Sequence, residues 1–209
     1  MAGSWLMDFE WFADRLSVQP IRAGHLISTV QNHLREAIRP GDILIDATAG
    51  NGNDTLFLSS LAGETGRVYA FDIQQAALDS TRKRLETYGS PSNVRLIHDS
   101  HQAMKGHVGS DWGSVSVIMF NLGYLPGGDH HLTTQTSSTC EAILQAHEGL
   151  RQGGLLSVMF YPGHEEGSRE ALAVADLIQT MEENWQTWVF GVGKTLKPAP
   201  FALIRQKVH

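Results

Sequence analysis

One cysteine, Cys140, stands in 209 residues, so no disulfide can form within the chain and a reducing compartment is expected. No apolar run approaches the roughly 20 residues that a membrane-spanning helix needs. The N-terminus carries no basic segment ahead of an apolar one, which excludes the pattern of a secretory signal. Low-complexity stretches and internal repeats are absent too. So is an excess of positive charge: the formal net charge is −6, whereas phosphate-binding surfaces usually leave a basic footprint. What remains is a chain with 42% hydrophobic and 18% charged residues. Its length suits one domain with a full core and a short appendage, and the cytoplasm is its expected location.

The chain is organised around Asp42–Thr55, DILIDATAGNGNDT. Ile43, Leu44 and Ile45 form a short apolar run after Pro40-Gly41, which predicts a buried parallel strand. The run ends in Asp46, and Gly50-Asn51-Gly52-Asn53 then turns the chain into a helix that starts near Asp54. Glycines let a ligand approach the backbone, and a helix N-terminus offers unpaired N–H groups. The dinucleotide fingerprint requires a third small residue three positions after its second glycine, where this chain has Thr55, so NAD is disfavoured. An acid before the turn, Asp46, suits a ligand bearing a cationic amino group. The next strand, Val68–Asp72, ends in an acid 22 residues after Gly50, placed to accept hydrogen bonds from two ribose hydroxyls. Together the two acids form the pattern of S-adenosylmethionine (SAM) methyltransferases.

Strand and helix alternate from there. Helices are expected at Gln74–Tyr88, Ser138–Leu150 and Glu165–Asn184, and strands at Asn93–His98, Val115–Phe120 and Gly154–Tyr161. The last two strands, Thr187–Val192 and Pro200–Arg205, are joined by a loop too short for a crossover helix, so they should pair antiparallel. The fold class is therefore α/β, the Rossmann-like class I methyltransferase plan. It comprises a mostly parallel seven-stranded sheet with a C-terminal antiparallel hairpin and helices on both faces. Residues 1–19, with Trp5, Phe9, Phe12 and Leu16 at helical spacing, are expected to be a helical appendage to a single domain at 20–209. Ile21–Ile38 is expected to be the helix leading into the first strand. From Thr187 to His209 there are Lys194, Lys197, Arg205 and Lys207 and no acid. Phosphate contact and ordinary solvated surface are both open for that edge.

Ligands in open α/β sheets bind beyond the carboxyl ends of strands, so the chemistry is expected where Val115–Phe120 stops. The sequence there runs Phe120-Asn121-Leu122-Gly123-Tyr124-Leu125-Pro126-Gly127-Gly128-Asp129. Asn121 and Tyr124 have the spacing of the Asn-Pro-Pro-Tyr motif of amino-group methyltransferases, without its prolines. A glycine-rich turn with a buried tyrosine is the alternative.

DATAGNGNDT (Asp46–Thr55), VYAFDIQ (Val68–Gln74), Ser100-His101, FNLGYLPGGD (Phe120–Asp129), Thr133-Thr134, SST (Ser137–Thr139), GHEEG (Gly163–Gly167) and Pro200-Phe201 carry a specific resemblance. From about Pro40 onward the chain resembles the MnmM (YtqB-like) tRNA methyltransferase family, once labelled rRNA methylases. It departs from that pattern at His130 and Pro162. The resemblance implies methyl transfer from SAM to the amine of 5-aminomethyl-(2-thio)uridine at the wobble position, with the tRNA anticodon stem-loop as partner; for the working form, monomer and homodimer are both open. It places the cofactor on Asp46, Gly50, Asn51, Gly52, Asn53, Asp72, Gln74, Ser100 and His101. It places the chemistry on Asn121, Tyr124, Asp129 and His164. Asn121 and the backbone of Leu122 would orient the amine, Tyr124 would stack on base or ribose, and Asp129 would position its loop. His164 is either a proton acceptor or a structural hydrogen-bonding group at a glycine turn. No metal is expected: His130-His131 lack further ligands at a recognisable spacing.

Overall fold

Ile43-Leu44-Ile45 forms β2 (Ile43–Asp46), where apolar residues at successive positions suit a strand covered on both faces. The computed structural model describes residues 18–22, 24–89, 92–123, 134–163, 165–181, 184–191 and 199–208. Before β2 come β1 (Val18–Pro20) and α1 (Leu26–Ala37). After it come α2 (Asn53–Ala62), β3 (Arg67–Asp72), α3 (Gln75–Thr87), β4 (Val94–His98), α4 (Met104–Val108) and β5 (Val115–Leu122). The chain continues through α5 (Thr136–Gly149), β6 (Leu150–Phe160), α6 (Glu165–Thr180), β7 (Trp185–Gly191) and β8 (Phe201–Lys207).

Among the described residues the strands make one eight-stranded sheet in the order β1-β7-β8-β6-β5-β2-β3-β4. β4, β3, β2, β5 and β6 pair in parallel, and β8 lies antiparallel between β6 and β7. This is the Rossmann-like methyltransferase plan with its C-terminal hairpin. Strand order reverses between β2 and β5, which opens a crevice at their carboxyl ends. Side chains alternate along the central strands as the two-residue pleat requires. Ile45, Ile118 and Phe120 pack with α5 and α6 on one face, while Leu44, Val117 and Met119 pack with α1 and α2 on the other.

Three of the differences from the sequence reading bear on the layout. The sheet has an eighth strand, because Val18–Pro20 pairs parallel with Val189–Gly191. Residues 18–19 therefore belong to the sheet rather than to a helical appendage. Ile21 continues that ladder by donating its N–H to the Gly191 carbonyl (3.0 Å), which delays α1 until Leu26. The helix then buries Leu26, Val30 and Leu34, one face at four-residue spacing, and stops ahead of Pro40. The third difference is α4, a five-residue helix between β4 and β5, too short to leave a periodic signal.

Arg205 and Lys207 do not form a phosphate-facing edge. Arg205 is 4% exposed on β8, donates to Thr187 Oγ1 (3.2 Å) and His147 Nε2 (3.1 Å) and lies over the Trp185 ring. Burial holds the His147 ring at about 4, so it stays neutral and accepts from the guanidinium. Lys207 Nζ donates to the His147 and Leu150 carbonyls (3.0 and 2.9 Å), closing the C-terminal end of α5. Lys194 and Lys197 lie outside the described residues.

Candidate functional site

The loop after β2 is held from three sides. Ala47 donates to the Met119 carbonyl of β5 and Ala49 to the Phe71 carbonyl of β3 (both 2.8 Å), so the ladder continues past the strand end. From α3, Thr81 Oγ1 donates to the Gly50 carbonyl (3.0 Å) and Arg84 Nε to the Asn51 carbonyl (2.6 Å). Asp72 accepts from Gly50 N and Gln74 N, both at 2.9 Å. Gly52, at φ 77°, starts α2, and a Cβ there would sit 2.8 Å from Thr81 Cα. Glycine is therefore required for α2 to approach α3.

A cavity of about 1240 Å³ opens above these strand ends. Gly50, Asn51, Asn53, Asp72, Gln74, Ser100, His101 and Asn121 all line it. Asp46 and Gly52 do not. Asp46 is 0% exposed, accepting from Thr55 Oγ1 (2.6 Å) and Thr48 N (3.2 Å). Its place is behind the loop, as a brace. Tyr124, Asp129 and His164 lie outside the described residues.

Burial, followed by the negative charge of Asp54, pushes the Asp46 carboxyl up to about 7; in an unfolded chain a carboxyl of this kind titrates near about 3.9. Between those values the folded state keeps a proton that the unfolded state has lost. Stability therefore falls as pH rises through this window and levels off above it. Asp46→Asn should flatten the slope and exceed the wild type at about pH 8 by roughly 1–4 kcal/mol, one pKa unit being about 1.4 kcal/mol. Denaturant unfolding across this pH range checks it, and an unchanged slope would assign the titration to another group.

His101 is 7% exposed. Its ring hydrogen-bonds the Ala47 backbone, and burial lowers it to about 4. Among the described residues Nε2, itself buried, has no partner, so Nδ1–H donates to the Ala47 carbonyl and Nε2 is left a neutral acceptor beside the cavity. Ser100 opens the short turn bearing His101, accepting weakly from Gln102 N (3.4 Å).

Asn121, the penultimate residue of β5, is fixed at two points. Its backbone N–H donates to Thr48 Oγ1 (2.7 Å), and Nδ2 donates to Asp54 Oδ2 (2.8 Å). Gln31 Nε2 from α1 donates to Asp54 Oδ1 (3.2 Å). The sequence reading passed over Asp54, Thr48 and Gln31 as site residues; Asp54 and Thr48 stand inside DATAGNGNDT, but nothing local marks the partner 67 residues away. The described lining holds three acids, Asp54, Asp72 and Asp99, and neither Lys nor Arg. That balance favours a cationic ligand. Beyond Asn121, Thr134 N donates to the Gly123 carbonyl (3.1 Å) and Gly123 N to Thr134 Oγ1 (2.9 Å). Buried Glu170 of α6 accepts from both Thr134 and Thr139 (2.6 Å each), tying this strand exit to two helices.

A family model described as "Putative rRNA methylase" matches residues 68–206. The chain belongs to this family. Its members' architecture recurs in a protein of Clostridium thermocellum described as a "putative rRNA-methylase", 34% identical with a TM-score of 0.83 over 90% of this chain and 100% of that one. A "putative methyltransferase" of Streptococcus mutans, solved in complex with SAH, is also 34% identical, with a TM-score of 0.79 over 90% of this chain and 99% of its own. A curated Arabidopsis thaliana protein, chloroplastic tRNA (mnm(5)s(2)U34)-methyltransferase, is 40% identical over 149 residues, 68% of this chain. The chain spans about half of that relative's length, 54%. The ribosomal RNA small subunit methyltransferase H of Streptococcus equi is 34% identical over 88 residues, 41% of this chain and 28% of its own.

Proposed function

We propose that the protein transfers a methyl group from SAM to the amine of 5-aminomethyl-(2-thio)uridine at the tRNA wobble position, giving the 5-methylaminomethyl product. The observation that carries this reading is the convergence, at one acid-lined cavity, of Asp72 on β3 and Asn121 on β5, the strands that flank β2. The residues fit the cofactor. Among the described residues, the unpartnered Nε2 acceptor of His101 suits an N–H donor such as an adenine amino group, and a lining without Lys or Arg suits a sulfonium and an ammonium. Asp72, Gly50, Asn51, Asn53, Gln74, Ser100 and His101 would hold it, with Asp46 and Gly52 shaping the loop from behind. When bound, SAM would supply an electrophilic sulfonium methyl to the amine lone pair, with the S–C electron pair left on sulfur and the proton of the new ammonium passing to His164 or to solvent.

The protein's own part is to orient and dehydrate the acceptor. A primary alkylamine attacks only when neutral, and an unperturbed one titrates near about 10.4. Enclosure opposes its protonation, and alignment contributes roughly 7–11 kcal/mol in well-oriented reactions. In this reading Asn121 and the backbone of Leu122 hold the amine, Tyr124 stacks on the base and Asp129 positions the loop. His164 takes up a proton or holds the glycine turn. The working form is a monomer or homodimer of a single domain bound to the anticodon stem-loop in the cytoplasm. No helix among the described residues is long and apolar enough to cross a membrane. Replacing Lys194 and Lys197 with Ala should weaken tRNA binding and reduce the slope of affinity against salt by roughly one to two phosphate contacts; an unchanged slope would return them to solvated surface.

The name of the Arabidopsis relative supports tRNA as substrate. The family description and the Streptococcus equi match favour a second reading, methylation of ribosomal RNA. Nucleoside mass spectrometry of RNA from cells lacking the protein separates the two. The first reading predicts tRNA in which the 5-methylaminomethyl nucleoside is replaced by its 5-aminomethyl precursor. The second predicts unchanged tRNA and a missing ribosomal methyl group.

A further inference from the structure

The Asn121 carboxamide has two faces of opposite hydrogen-bonding character, and only one is useful toward an amine nucleophile. Its oxygen accepts an amine N–H and leaves the nitrogen lone pair free. Its NH2 would donate to that lone pair and occupy the electrons that must form the new bond. Rotation of the amide by half a turn exchanges the two at little steric cost, so something must choose between them.

We propose that Asp54 makes this choice as a positioning residue, holding the Asn121 amide nitrogen away from the acceptor so that Oδ1 faces it. This rests on the reading of Asn121 as the residue that holds the amine. An ionised carboxylate only accepts, so the 2.8 Å contact between Asp54 Oδ2 and the Asn121 side chain admits Nδ2 and excludes Oδ1. Asp54 is itself fixed. It stands in the first turn of α2, where the helix N-terminus favours negative charge. Gln31, reaching from α1, occupies its other oxygen. The Thr48 hydroxyl pins the Asn121 backbone, leaving side-chain rotation as the freedom that Asp54 removes. All four residues line the same cavity.

Asp54→Asn is the discriminating variant. It keeps the shape, but an amide at 54 satisfies Asn121 in either orientation, so the contact survives and the choice is lost. Steady-state kinetics on tRNA carrying 5-aminomethyluridine should show kcat about 10–100-fold lower with KM for RNA near wild type, somewhat below the cost of deleting a preorganised donor outright. Asp54→Ala should fall about as far as Asn121→Ala, and the double variant no further, because both act through one contact. Side-chain amide NMR supplies a readout independent of turnover. The Asn121 Nδ2 protons, one of them bonded to carboxylate in the wild type, should shift upfield and exchange faster with solvent in Asp54→Asn. Wild-type kcat in Asp54→Asn, or multiplicative losses in the double variant, overturns the proposal while leaving a deficient Asn121→Ala to support the parent reading. Full turnover in Asn121→Ala overturns the parent reading, and the orientation role with it.

Discussion

Asp72→Ala should lower SAM affinity by roughly 10²–10⁴-fold without unfolding the protein. The side chain sits at the end of β3, where its oxygens accept from Gly50 N and Gln74 N. These bonds tie the glycine loop to the start of α3 while leaving lone pairs for ribose hydroxyls. Hydrogen bonds to charged groups contribute about 1.5–3 kcal/mol each, and the two expected from a ribose give the quoted range. The fold should survive because Asp72 is half-buried at the cavity and the core of β3 rests on Val68, Ala70 and Phe71. Calorimetric titration with SAM checks the result. Unchanged affinity, or binding of NAD by the wild type, would contradict the assignment of this strand end.

Gly52→Ala should be the most damaging small change. The residue has φ 77°, a conformation that costs a side-chain-bearing residue roughly 1–2 kcal/mol. The added methyl would also meet Thr81 at 2.8 Å from its Cα and 3.0 Å from its Oγ1 and Cγ2. The Thr81 backbone belongs to α3 and cannot swing aside. A total loss of about 2–4 kcal/mol follows, in the range for overpacking with backbone strain. Relief requires α2 to tilt away from α3, which displaces Gly50 and Asn51 from the cavity wall. Stability and SAM affinity should therefore fall together in denaturant unfolding and calorimetry. A stable Gly52→Ala protein with normal affinity would show that the glycine serves neither packing nor the loop.

Much of this arrangement was legible because it is local. The apolar run Ile43–Ile45, the glycine spacing and the acid ending Val68–Asp72 each signal within a few residues, and strand, turn and helix follow in order. Long-range features were not legible. Val18–Pro20 is a strand only because Val189–Gly191 lies beside it, and three residues carry no period of their own. Asp54 reads as an ordinary first-turn acid until β5 brings Asn121 to it. The enclosure of Asp46 was hidden for a related reason: the sequence puts an acid at the strand end but does not say that Thr55 and Thr48 will enclose it. Arg205 and Lys207 looked like a basic edge because their partners, His147, Thr187 and the end of α5, are remote in sequence.

The central claim is methyl transfer to the wobble amine, and reconstitution tests it most directly. Purified protein is incubated with SAM and tRNA whose wobble uridine carries a 5-aminomethyl group, with ribosomal RNA from cells lacking the protein as competitor, and nucleosides are read by mass spectrometry. The 5-methylaminomethyl nucleoside should appear in tRNA, with one methyl gained per wobble position and none in the ribosomal RNA. A tRNA left unmodified while ribosomal RNA gains the methyl group would contradict the account.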